Sequence, residues 1–573
     1  MNRRELLRIA AIGAGGAVAH SLTAPAAHAI AGEATMMDAA FAPLDVVRVG
    51  FVGVGLMGTS HVENLLRIEG VELRAVCDVV ESKVARAQQM AVDAGRTRPA
   101  GYSAGPRDFE RLCARDDLDL VFTATPWEWH VPVCVAAMEA GKHAATEVPA
   151  AHAIAGEATM MDAAFAPLDV VRVGFVGVGL MGTSHVENLL RIEGVELRAV
   201  CDVVESKVAR AQQMAVDAGQ ARPAGYSGGP RDFERLCGRD DLDLVFTATP
   251  WQWHVPVCVA AMEAGKHAAT EVPAALTVDD CWRLVETSER TRRHCVMMEN
   301  CNYDRFEMMA LSMVHRGVLG ELLHAECGYL HDLRAVKHDM EGEGVWRRAH
   351  SMSTNGDLYP THGLGPVAQC LGVNRGNAFE TLVSMGSKSR GLHLYAEQRF
   401  GADSPQAAER FLLSDVVTTL LRTAAGETVV VTHDTSSPRP YSRGVVIQGT
   451  RGLVRKYPEP LVHIEGRSEP HRWESAAAYA EEFDHPLWRR LESESLGAGH
   501  GGMDFIEDYR LIDAFRSGRA PDSDVYDAAV LSAVVELSGR SIARGSEPVR
   551  FPDFTRGEWR RPRPLHVMQL EWA

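Results

Sequence analysis

A block of sequence written almost twice over most restricts what this 573-residue chain can fold into. Residues 25–151 return as 149–275, sharing Pro149-Ala150-Ala151 at the junction. The two copies differ at Arg96/Gln220, Thr97/Ala221, Ala104/Gly228, Ala114/Gly238 and Glu128/Gln252. Repeats kept for stacking have periods of roughly 20–50 residues and drift in sequence. A near-verbatim unit of this length is instead one whole half-domain copied intact. The copied block carries with it Ala151-His152-Ala153, a second version of Ala27-His28-Ala29. Only copy two runs on, through Glu271-Val272-Pro273 into Leu276-Thr277 and the rest of the chain, so function is assigned to it and copy one is treated as an orphan.

The pattern of copy two alternates strand and helix. Strands are expected over 171–178, 196–201, 242–249, 267–272 and 295–299, and helices over 183–192, 205–218, 230–238, 254–264 and 278–290. That alternation implies an α/β fold with a doubly wound parallel sheet. Between the first strand and first helix stands Gly177-Val178-Gly179-Leu180-Met181-Gly182, the glycine spacing of a turn that admits a diphosphate to a helix N-terminus. Asp202 closes the second strand, where a carboxylate accepts hydrogen bonds from the adenosine ribose hydroxyls and repels a 2′-phosphate, so NAD is favoured over NADP. Trp251-Gln252-Trp253-His254 follows the third strand at the carboxyl edge, where ligands collect in such sheets, and is placed to wall the nicotinamide ribose.

Residues 1–29 begin with Arg3-Arg4, continue through a Gly/Ala-rich stretch and end on Ala27-His28-Ala29. They resemble a twin-arginine export signal, which predicts a periplasmic or extracellular destination. Free NAD is scarce there. An exported dinucleotide enzyme is best served by a permanently held cofactor that ends each turnover in its starting oxidation state. The expected organisation is a signal at 1–29, an orphan Rossmann half-domain at 30–150, the functional NAD domain at 151–300 and a substrate and oligomerisation domain at 301–573. In the last, mixed strands that include a hairpin over 418–433 precede helices over 504–516 and 524–541. A formal net charge of −17 argues against nucleic acid or an anionic membrane surface as partner. No run after the signal is long and apolar enough to span a bilayer. The eleven cysteines show neither CxxC nor zinc spacing, so no metal is expected.

Longer motifs narrow the class. Ala248-Thr249-Pro250-Trp251-Gln252-Trp253-His254, Glu271-Val272-Pro273-Ala274-Ala275-Leu276-Thr277 and Asn355-Gly356-Asp357-Leu358-Tyr359-Pro360-Thr361-His362-Gly363 stand with Glu299-Asn300, Gly328-Tyr329-Leu330-His331, Arg439-Pro440-Tyr441 and Gly497-Ala498-Gly499-His500. Together they resemble glycoside hydrolase family 109, the NAD-dependent α-N-acetylgalactosaminidases, within the superfamily of glucose-fructose oxidoreductase and inositol dehydrogenase. The resemblance covers 169–570 and implies a Rossmann domain followed by an α+β domain with an open, largely antiparallel sheet. Such sheets pair between subunits, which makes a homo-oligomer an expectation. Dehydrogenases of the superfamily resemble one another in a Glu-Lys-Pro triplet whose lysine helps to move the hydroxyl proton. Here the triplet is Glu271-Val272-Pro273, and valine carries no proton.

Carried over by motif, the resemblance implies NAD contacts at Gly177, Gly179, Leu180, Met181, Gly182, Asp202, Trp251, Gln252, Trp253, His254, Glu271, Val272 and Asn300. It implies sugar contacts at Tyr329, Arg347, Tyr359, Pro360, Thr361, His362 and Tyr441. Direct glycoside hydrolysis needs two carboxylates about 5.5 Å or roughly 6.5–9.5 Å apart across the bond, whereas these motifs offer tyrosines, histidine and arginine. The implied chemistry is transient oxidation of the sugar at C3, elimination across C1 and C2, addition of water and return of the hydride. Tyr329 and His362, and with them Tyr441, are the candidate catalytic residues, since imidazole titrates near neutrality; Arg347 would hold the sugar or a developing oxyanion. Two other readings stand beside this one: an NAD-dependent sugar or polyol dehydrogenase, and an inactive exported sugar- or NAD-binding protein. Copy one has its own Gly53, Gly55, Gly58 and Asp78 but lacks the strand and helices beyond residue 275, so its sheet should end in an exposed edge.

Overall fold

The computed structural model describes residues 44–125, 129–147, 159–340 and 342–569. The signal-like segment 1–29, the stranded Ala151-His152-Ala153 and Trp127-Glu128 of copy one lie outside the described residues. The chain divides into two compact units between Gly156 and Glu157.

The first unit is a five-stranded parallel sheet of β1 (Val47–Val52), β2 (Val71–Cys77), β3 (Ala100–Tyr102), β4 (Leu120–Thr123) and β5 (His143–Thr146), in the order β3-β2-β1-β4-β5. The second unit begins by repeating that pattern with β6 (Val171–Val176), β7 (Val195–Cys201), β8 (Ala224–Tyr226), β9 (Leu244–Thr247) and β10 (His267–Thr270), then adds β11 (Cys295–Met297). The order β11-β10-β9-β6-β7-β8, parallel throughout, is the doubly wound arrangement, with its switch point between β6 and β9. β6, β9, β10 and β11 are shorter than expected and β7 one residue longer; pairing of β9 with β6 spans only Val173–Val176 against Leu244–Thr247. The short β8 and the 3-10 turn Trp251–Trp253 were not foreseen.

Identical sequence is buried differently in the two units. The four residues of β5 are exposed or half-buried, whereas those of its counterpart β10 are all buried. The difference comes from the downstream chain: β11 pairs with β10, and helix Val278–Thr291 packs on helix His254–Glu263.

Sheet three has nine strands: β12 (Leu322–Leu330), β13 (Phe379–Gly386), β14 (Val417–Thr423), β15 (Thr428–Asp434), β16 (Val446–Gly449), β17 (Gly452–Arg455), β18 (Leu461–Ile464), β19 (Glu474–Ser475) and β20 (Val549–Arg550). Its order is β19-β18-β17-β16-β12-β15-β14-β13-β20, antiparallel except for β12 with β15. Along β14 the residues alternate strictly between buried and exposed, as expected of a sheet with one packed face. Helix Val525–Ala543, started by a reciprocal Asp524/Asp527 capping box, packs against β13 and against helix Val278–Thr291. One apolar core therefore runs from the Rossmann sheet into the large sheet. Among the described residues no helix is long and apolar enough to cross a membrane.

Candidate active site

The glycine turn is shaped for an anionic ligand. Gly177 has φ +85°, and a Cβ there would lie 2.8 Å from the backbone of Ala248, so only glycine fits. A Cβ on Gly182 would approach Gly177 O to 1.9 Å, which is why the helix Leu180–Arg191 can start so close to β6. Gly179 differs: no protein atom lies within 4 Å of its would-be Cβ. The helix behind it has neither a side-chain cap nor an acidic residue in its first turn, which leaves its N-terminal amides for a ligand phosphate. Asp202 braces the turn, its Oδ2 accepting from Val178 N–H at 3.0 Å and its Oδ1 from Val204 N–H at 2.9 Å. These features fit the diphosphate and ribose of a dinucleotide. Leu180 is exposed and Met181 half-buried.

A ring of aromatic residues gathers most of the predicted sugar contacts. Tyr329 is the penultimate residue of β12, and the helix Thr361–Cys370 presents His362 in its first turn. Two glycines allow that approach: a Cβ on Gly363 would lie 2.3 Å from Gly328 N, and one on Gly365 would lie 2.8 Å from the side chains of both Asn302 and Glu299. Ring centroids are 4.6 Å apart for Tyr329 and Tyr359, 4.8 Å for Tyr359 and His362, 5.6 Å for Tyr329 and His362, and 6.2 Å for Tyr329 and Tyr441. Arg347 lies over Trp346, Trp251 and Tyr359 at 4.6, 5.2 and 5.3 Å, and its Nε donates to Glu343 at 2.9 Å. The guanidinium is thus enclosed by an aromatic cage. Burial pushes the Tyr329 phenol up to about 12, although the charge of Arg347 acts the other way. Burial likewise holds Tyr359 and Tyr441 protonated.

Two carboxylates beside this ring, Glu299 and Glu271, are paired with imidazoles, and a third, Glu343, with Arg347. His362 Nδ1 is 2.7 Å from Glu299 Oε1, and Glu299 is 1% exposed. Glu271, at the carboxyl end of β10, pairs with His185 Nε2 at 3.0 Å and accepts from Val272 N–H at 3.0 Å. Burial works against ionisation of Glu271, but His185 holds it below the ordinary carboxylate range. Val272 is buried and apolar, so this position moves no proton.

The other predicted contacts serve differently. His254 is wholly buried, with Nδ1 2.8 Å from Pro273 O and Nε2 2.8 Å from Thr249 O, and it ties two loops together from behind. Trp253 turns its edge to Phe233 at 6.0 Å, and Gln252 is exposed. Asn300 is buried and donates to Asp504 at 2.8 Å, while Asp504 also meets His500 at 2.9 Å. Pro360 and Thr361 are buried where the His362 helix begins. Sequence reasoning missed Glu299 as the partner of His362, the cage wall Trp346, His331 at 3.1 Å from Tyr329 Oη, and the pair His185 and Asp508. Glu299 and His331 stand inside the quoted motifs and Trp346 beside Arg347, whereas nothing in the sequence around Asp508 marks it as the partner of His185. Ligand atoms of Glu299, Cys301 and His362 lie within 4.8 Å of one another, a grouping the cysteine spacing did not suggest. The Glu299–His362 hydrogen bond already occupies it, and burial holds the Cys301 thiol protonated.

Comparison with known proteins matches the same two parts. Residues 303–561 match the model of the glycosyl hydrolase 109 C-terminal domain, and residues 47–167 and 171–299 each match that of the oxidoreductase family NAD-binding Rossmann fold. An α-N-acetylgalactosaminidase of Shewanella oneidensis is 45% identical over 406 residues, covering 70% of this chain and 88% of that protein. A glycosyl hydrolase family 109 protein of Shewanella baltica is 46% identical over the same length and shares. Among solved structures, a levoglucosan dehydrogenase in complex with NADH and L-sorbose aligns with a TM-score of 0.51 at 21% identity, over 67% of this chain and all of that one. An inositol dehydrogenase homologue from Azotobacter vinelandii complexed with NAD+ aligns with a TM-score of 0.52 at 20% identity, over 68% and 100%. These two share the fold.

Proposed function

Because the chain belongs to glycosyl hydrolase family 109 and carries its NAD-binding Rossmann domain, we propose that it hydrolyses α-N-acetylgalactosaminides or closely related glycosides by a redox-neutral route. The observation that carries this reading is the commitment of Glu299 to His362 and of Glu271 to His185, which leaves tyrosines, histidine and arginine to face the sugar. NAD bound at the glycine turn and Asp202 would supply the hydride acceptor, and in reduced form the hydride donor, for C3 of the sugar. The chain's own residues do the rest. His362, oriented by Glu299, and Tyr329, beside His331, carry the protons at C2 and at the C3 hydroxyl. Loss of the C2 proton next to a C3 ketone expels the C1 substituent, and water then adds at C1 as a proton returns to C2. Arg347, fixed in its cage, stabilises the oxyanion that develops on C3. Tyr359 and Tyr441 line the sugar, and Gly179 and Asp202 hold the cofactor's diphosphate and ribose.

The deciding experiment incubates the protein with an α-N-acetylgalactosaminide in deuterated water. Label at C2 of the released sugar, with no net accumulation of NADH, is expected; unlabelled product removes the elimination route. Val272 at the lysine position argues against the alternative of an alcohol dehydrogenase, and NADH accumulating with free sugars or polyols would favour it. Tight cofactor retention is part of this proposal and is read from NAD that co-purifies. So is export by the twin-arginine route: replacing Arg3-Arg4 with lysines should trap the protein in the cytoplasm. Self-association through the large sheet is checked by light scattering.

A further inference from the structure

His185 is 2% exposed and stands between two carboxylates, Glu271 at 3.0 Å from Nε2 and Asp508 at 2.8 Å from Nδ1, the latter also accepting from Asn188 at 3.0 Å. The three residues come from three places: the helix after the glycine turn, the loop after β10, and helix Met503–Ser517 near the end of the chain. Burial opposes a charge on His185, but Asp508 and Glu271 raise its affinity for the proton well above the ordinary histidine range. Burial raises the Asp508 carboxyl, and the contacts with His185 and Asn188 oppose that rise; with Asp508 ionised, two carboxylates around one imidazolium leave one net negative charge. Asp508 is 0% exposed and Glu271 is 14% exposed, so that charge is presented at Glu271, at the carboxyl end of β10. The crevice outside the carboxyl ends of these strands is where a dinucleotide lies in this fold.

We propose that the Asp508–His185 pair is a positioning device that fixes Glu271 as an un-neutralised, correctly turned carboxylate, and that this charge favours binding of NAD+, whose nicotinamide ring is cationic, over NADH, whose dihydronicotinamide ring is neutral. This deepens the reading under Proposed function by assigning what keeps the resting cofactor oxidised. Copy one shows the incomplete version: His61 pairs with Glu147, and both side chains are more open, at 30% and 23% exposed against 2% and 14% in copy two. The imidazoles that also act on Glu271, His362 and His500, each have a carboxylate of their own, Glu299 and Asp504. Asp504 is engaged by His500 and Asn300, and burial pushes the Glu507 carboxyl well above its ordinary range, toward the neutral form.

The test titrates the full-length protein, freed of co-purifying nucleotide, with NAD+ and with NADH, following tryptophan quenching, and compares the ratio of the two dissociation constants. Asp508→Asn leaves a neutral His185–Glu271 pair and should lower the preference for NAD+ about tenfold, as should Glu271→Gln. In the Glu271→Gln background, Asp508→Asn should change the ratio by less than twofold. His185→Gln, which keeps a hydrogen-bond donor toward Glu271 but no charge, should retain the NAD+ preference within about threefold of the parent. The proposal is overturned if Asp508→Asn binds both forms with the parental ratio, or if it shifts the ratio equally with and without the Glu271 carboxylate. If Asp508→Asn unfolds, the His185→Gln and Glu271→Gln pair decides by the same comparison. No glycoside enters these titrations, so their failure leaves the glycosidase reading to the deuterium experiment, and the reverse.

Discussion

Gly179→Ala isolates cofactor binding from folding. Gly179 has a negative φ of −75°, and its added methyl meets no protein atom within 4 Å. Alanine also lowers the entropy of the unfolded chain, worth about 0.4–1 kcal/mol in favour of folding, so the melting temperature should stay within about 2 °C of the parent or rise. The same methyl stands where a diphosphate must approach the first amides of helix Leu180–Arg191. Losing one or two charge-assisted hydrogen bonds there costs about 1.5–3 kcal/mol each, or roughly 10- to 100-fold in NAD affinity and more if both go. Gly182→Ala is the contrasting change: its Cβ would lie 1.9 Å from Gly177 O, a backbone atom that cannot step aside. Overpacking of that kind costs about 1–3 kcal/mol or more, so Gly182→Ala should lose stability along with binding. Calorimetric or fluorescence titration with NAD+, beside a thermal melt, separates the two. A stable Gly179→Ala protein that binds NAD+ within twofold of the parent would refute the placement of the diphosphate at this turn. Gly55→Ala, the same change in copy one, should leave glycoside turnover untouched.

Glu299→Gln keeps the shape beside His362 but removes the carboxylate; kcat should fall about 100-fold or more while KM moves by no more than a few-fold in steady-state assays. Arg347→Lys exchanges a stacked planar cation for a point charge that cannot fill the cage of Trp251, Trp346 and Tyr359, and KM for the glycoside should rise about tenfold. Asp357 is fully buried, accepts from Tyr359 N–H at 3.0 Å, and burial raises its carboxyl to about 7. The folded chain keeps that proton between about pH 4 and 7 while the unfolded chain releases it, so this group lowers stability as pH rises through that window, by about 2–4 kcal/mol. Asp357→Asn should therefore raise the melting temperature at pH 8 by a few degrees and change it little at pH 5; an equal effect at both values would refute the assignment.

Much of this architecture is legible without coordinates because it rests on short-range rules. The run from Val171 to Val176, the glycine spacing at 177–182 and the carboxylate at Asp202 produce strand, turn and brace wherever they occur. Copy one shows it by building the same turn, with Asp78 Oδ2 accepting from Val54 N–H at 3.0 Å as Asp202 does from Val178. The aromatic motifs likewise announced Tyr329, Tyr359 and His362, since each lies in a contiguous recognisable stretch. What the sequence could not reveal is which distant side chain completes each pair. Glu299 reaches His362 across 63 positions and Asp508 reaches His185 across 323, and no local pattern encodes either meeting. The duplicated block is the control for this distinction. Its local conformation is a property of the residues themselves, so both copies share it; among the described residues, burial of the fifth strand and a second carboxylate on its histidine are found only in copy two, where the later chain folds back to supply them.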